Sequence, residues 1–195
     1  LSRLVSGVGR ELKTIFEYYP PQLQGEFRDA VVSAVRNWNL QSQGPQVLTG
    51  LSWLVADTRA LGVIKPLCGF VETNLIVNRD QEKFPDALRA TIAVIGGSAR
   101  FDETRSIVKK TFERWIVDPA YDRYSAMLLN GLCRCSPENY PQYFTRFLEV
   151  AQMHPDYFIL DAVVAEMIRI VSPQVISEHI DALPPEARKL LENKI

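Results

Sequence analysis

Histidine and cysteine are scarce in this chain, which has only His154 and His179 of the first and Cys68, Cys133 and Cys135 of the second. An odd number of cysteines argues against a disulfide scaffold and favours a reducing, intracellular setting, cytoplasm or nucleus. Cys133 and Cys135 stand too close for C-x-x-C metal spacing, and with so few histidines a zinc site would need an unusual ligand set, so no metal or other cofactor is expected. They read as buried or half-buried structural thiols, because no local motif pairs a cysteine with a histidine for nucleophilic catalysis. A charge excess is missing as well: 22 Lys and Arg face 23 Asp and Glu. That balance weakens the nucleic-acid class, whose dedicated members usually carry a basic surplus. No run reaches the roughly 18 apolar residues of a membrane span, since Glu72, Asn74 and Gly96 break the longest stretches. Arg3, Arg10, Glu11 and Lys13 occupy the place where a signal peptide needs an apolar centre, and the start at Leu1 without methionine suggests a segment of something longer.

What is present is 195 residues, 47% of them hydrophobic, which is the length of one soluble domain. Its 12 prolines are the most informative residues. Proline is tolerated in the first helical turn and damaging further in, so Pro45, Pro85, Pro119, Pro141, Pro155, Pro173, Pro184 and Pro185 read as helix starts. Between them apolar residues recur three and four apart. The stripes are Leu1 to Tyr19; Phe27, Val31, Ala34, Val35 and Trp38; Val47 to Val55; and Ile64, Leu67, Cys68, Val71 and Leu75. Leu88, Ile92 and Ile95 follow, ahead of Gly96 and Gly97. Asp102 has the place of an N-cap for a helix carrying Ile107, Val108, Thr111, Phe112, Trp115 and Ile116. The pattern continues to the C-terminus and gives about ten or eleven helices. The run ATIAVIGGS at 90–98 looks superficially like a strand leading into a phosphate loop. It has neither G-x-G-x-x-G nor a terminal G-K-[ST], and the predicted outcome is a helix ending at Gly96.

When the segments around Leu51, Ile92, Leu132 and Met167 are aligned as equivalent helices, they lie 41, 40 and 35 residues apart, each followed by a break and a second helix. In that period the chain resembles the HEAT and armadillo class of α-solenoid. The resemblance implies an all-α, right-handed α-α superhelix of about four helical hairpins, at 45–79, 84–117, 121–152 and 156–183. Residues 1–40 would be N-terminal capping helices and 184–195 a C-terminal helix, all within a single domain. The polar stretches 39–46 and 78–83 read as loops.

Charge is unevenly spread. Basic against acidic residues number ten to nine over 1–97, eight to six over 98–146, and four to eight over 147–195. In the middle part Arg105 and Lys109 are one turn apart, as are Lys110 and Arg114, which would set two basic rows along one helix. Tyr121, Tyr124 and Tyr140 fall near loops and helix starts, where wet hydroxyls would suit a protein interface. The four basic residues together with Tyr121 and Tyr124 are the candidate binding surface. The function expected is a non-enzymatic scaffold or adaptor for another protein or peptide with acidic character. The alternative is nucleic-acid binding by the basic rows.

Overall fold

The computed structural model describes residues 18–37, 59–77, 85–192 and 194, and every regular element among them is helical. The elements are α1 (Pro21–Arg36), α2 (Ile64–Val77), α3 (Pro85–Gly97), α4 (Asp102–Trp115), α5 (Ser125–Cys135), α6 (Tyr140–Met153), α7 (Leu160–Val171), α8 (Pro173–His179) and α9 (Pro185–Glu192). The all-α class expected from the periodicity is therefore observed. The stripe at 1–19, apart from its last two residues, the stripe Val47 to Val55, Trp38, and the expected loops at 39–46 and 78–83 lie outside the described residues.

Proline punctuation explains most of the boundaries. Pro21, Pro85, Pro173 and Pro185 open helices, and Pro141 is the second residue of α6. Pro119 and Pro155 instead open short 3-10 segments, Pro119–Tyr124 and Pro155–Tyr157, and α5 and α7 begin only afterwards. The first of these turns is capped by the Asp118 side chain, which accepts from the Ala120 amide at 2.9 Å. The helix expected to end at Gly96 does end there to within one residue: α3 runs to Gly97 and tightens into the 3-10 turn Ser98–Arg100, so 90–98 is helical and contains no phosphate loop. It closes without a left-handed glycine, since no glycine with positive φ occurs among the described residues. One expectation needs correction: Asp102 is not the N-cap. Phe101 holds that position in extended conformation, and Asp102 sits in the first turn, where its charge favours the helix dipole and pairs with Arg105 at 2.8 Å.

The chain divides into two compact units, Leu1–Ser98 and Ala99–Ile195. In the first, α1 packs on the turn Leu61–Val63 and on α2, and α2 packs on α3. Val31, Val35, Val63, Ile64, Leu67, Val71, Ile92 and Ile95 form its core, whereas Ala34 faces solvent despite its place in the apolar stripe.

In the second unit α5 is central and packs against α4, α6 and α7, with α8 against α7 and α9 against α6. The buried stripe of α4 is Thr104, Val108, Thr111, Phe112 and Trp115; Ile107 lies outside it and is half exposed to solvent. Leu128, Leu129 and Leu132 of α5, Phe144 and Phe147 of α6 and Met167 of α7 complete the centre. Each such side chain contributes about 1.5–3 kcal/mol by leaving water. α4 and α6 run in the same direction, because two hydrogen bonds between α6 and the end of α4, from Tyr143 to Glu113 and from Arg146 to the carbonyl of Ile116 just past it, both span 30 residues. An antiparallel pair would keep the sum of positions constant, not the difference.

Candidate functional site

α4 carries all four basic candidates, but it does not present them as one surface. At 3.6 residues per turn neighbouring positions point about 100° apart, so the row of Arg105 and Lys109 and the row of Lys110 and Arg114 diverge. The first row is largely neutralised within the unit. Arg105 meets Asp102 at 2.8 Å and donates from Nε to the Ala99 carbonyl at 3.2 Å. Lys109 Nζ lies 4.0 Å from Glu113 Oε1. Lys110 and Arg114 are exposed, and Lys110 forms no ion pair among the described residues.

Tyr121 and Tyr124 require a correction: they are 4% and 6% exposed and belong to the core, not to a wet surface. The Tyr121 ring stacks on Trp115 with centroids 4.9 Å apart and planes 9° apart. The 3-10 turn Pro119–Tyr124 folds these rings inward, and sequence position beside a loop does not reveal that. Tyr140 and Tyr143 are buried as well, and their hydroxyls donate to the Ile176 carbonyl at 3.0 Å and to Glu113 Oε1 at 2.9 Å. Burial pushes the Tyr140 phenol up to about 12. Burial first, then the bond to Glu113, holds the Tyr143 phenol well above the usual range.

The thiols are similarly quiet. Cys68 and Cys133 are buried and Cys135 is half-buried. Burial raises the Cys133 thiol strongly and pushes that of Cys135 up to about 11, so both remain protonated near neutrality, whereas a nucleophile needs the thiolate. Among the described residues no group of three or more His, Cys, Asp or Glu is arranged to hold a metal ion. None of their helices is long and apolar enough to cross a membrane.

An open groove of about 660 Å³, which the sequence did not reveal, lies where the C-terminal end of α4 meets the turn Pro137–Asn139, α6 and Ala182. Its apolar lining is Ile116, Val117, Pro141 and Ala182, with Val117 61% exposed. Three carboxylates, Glu113, Glu138 and Glu149, line it against one guanidinium, that of Arg146. Arg146 is occupied within the fold. Its Nε donates to the Ile116 carbonyl at 3.1 Å, Nη1 to Glu149 at 2.9 Å, and Nη2 lies 3.8 Å from Asp122. Asp122, buried, also has His154 Nε2 at 3.5 Å. Glu113 is shared between the Tyr143 hydroxyl and Lys109, whereas Glu138 is exposed and has no ion-pair partner among the described residues. The groove therefore presents a negative edge beside an apolar floor. Only the local Arg146 and Glu149 pair, three residues apart, was within reach of sequence spacing.

No protein-family model, no characterised protein and no solved structure matches this chain.

Proposed function

We propose that the chain is a non-enzymatic protein–protein interaction scaffold built from stacked helical hairpins of HEAT-like type. The observation that carries this reading is the neighbour pattern around α5. α5 touches the helices before and after it and also the helix two positions on, while α4 and α6 run parallel with a constant 30-residue offset. Contact with the next helix and the next but one is how successive hairpins bury faces that none can bury alone. Such a stack leaves long grooves between like helices, and the α4–α6 groove has the open form suited to a peptide or domain edge. Three cysteines, an odd number with two of them buried, accord with an intracellular compartment, cytoplasm or nucleus.

Affinity capture from cell extract tests this, with the Val117→Asp variant as comparison bait. A protein retained by the parent chain, lost with the variant, and binding again as a purified pair supports the proposal. Identical captures from both baits oppose it. The nucleic-acid alternative is weaker, because Arg105 and Lys109 are taken up by Asp102 and Glu113. It predicts salt-dependent binding to an oligonucleotide that Lys110→Glu abolishes.

A further inference from the structure

The sequence balance in the middle of the chain favours an acidic partner, yet the groove has the opposite sign. We propose that the α4–α6 groove docks a short basic segment of a partner protein that also carries one large apolar side chain. This rests on the scaffold reading and specifies the occupant of one of its surfaces. Charge complementarity carries the argument. Three carboxylates line the groove, and its one cation, Arg146, is held on the Ile116 carbonyl, Glu149 and Asp122. An incoming acidic segment would meet uncompensated Glu138 and the shared Glu113; a Lys or Arg would meet acceptors. The floor decides the second feature. Val117, with most of its surface in water, adjoins Ile116, Pro141 and Ala182, so a Leu or Ile side chain laid there removes apolar area from solvent on both partners. A basic side chain reaching Glu138 and an apolar one on Val117 would thus be anchored by different physics, and each is removable separately.

The full chain is titrated against fluorescent synthetic peptides of equal length. One has a central leucine flanked by lysine and arginine, one has the same leucine flanked by glutamate and aspartate, and one keeps the basic residues with serine for leucine. Only the first should bind tightly, more weakly as salt rises, because exposed carboxylates are screened over a Debye length of about 10 Å at 0.1 M. Glu138→Lys should weaken it about tenfold and Val117→Ser several-fold. Both positions are exposed, so unchanged helical circular dichroism and melting of the variants separates lost binding from lost folding. Equal binding of the acidic peptide, or binding of the basic one indifferent to both variants, overturns the proposal. So does concentration-dependent self-association of the chain that Val117→Ser abolishes, which would make the occupant a second copy. If no peptide binds while capture still differs between parent and Val117→Asp baits, the basic occupant fails and the scaffold reading stands.

Discussion

Tyr140 is fully buried, and its hydroxyl reaches from α6 to the Ile176 carbonyl in α8 at 3.0 Å. Removing that hydroxyl leaves a carbonyl short of a partner in a site water does not reach, so Tyr140→Phe is expected to cost about 1 kcal/mol in urea unfolding. Burial also sets a pH dependence. It pushes Cys135 up to about 11 from 9.0 and Tyr140 up to about 12 from 10.0. Both groups are neutral in folded and unfolded chains below the unfolded values; above them the unfolded chain loses its protons first. The stability they carry is therefore fully present below about pH 9 and is lost as pH rises towards 12. Cys133 and Tyr143 shift in the same direction and add to the fall. Urea midpoints measured across this alkaline range should decline, and Cys135→Ala combined with Tyr140→Phe should shallow the decline. Cys133 and Cys135 are legible as structural thiols in the sequence, because nothing around them supplies a base or a metal set. Tyr121 and Tyr124 are not legible, because an amphipathic ring suits a core and a wet surface equally and only the turn's direction chooses.

Between α7 and α8 the chain turns on Ser172, whose φ of 73° and ψ of 145° lie where a side chain is strained. Pro173 follows directly, opens α8 and excludes the helical region for the residue before it, so the turn has little freedom to relax. Ser172→Gly should release the strain and raise stability by about 1 kcal/mol, read as a higher urea midpoint; an unchanged or lower midpoint would mean the turn is not strained. Elements of this kind are the most readable level of the protein. Proline positions and three- and four-residue spacing foretell α4, with its stripe Val108, Phe112 and Trp115, and the start of α8 at Pro173. They miss the 3-10 turns after Pro119 and Pro155, because proline fixes φ and removes a donor in both kinds of helix and leaves the hydrogen-bond register open.

At the scale of the molecule, the unit Ala99–Ile195 contains its own core from Val108 to Leu191. A chain of residues 99–195 is therefore expected to be helical and to unfold in one cooperative urea transition; a featureless melt would refute the division. The expected hairpin at 84–117 runs across the boundary between the units after Ser98, which no change of composition marks, whereas those expected at 121–152 and 156–183 fall inside the second unit. The candidate surface shows the same contrast. Spacing alone places Arg105, Lys109, Lys110 and Arg114 on one helix, but the groove needs Glu113 beside Tyr143 and Ile116 beside Arg146, pairs separated by 30 residues. Helical class, most helix starts and much of the buried stripes follow from local rules, since turn sterics and apolar periodicity act within a few residues. Which charges are neutralised, which tyrosines are dry and where the acidic groove opens were decided by packing, since those depend on which helices become neighbours, and no local spacing encodes that.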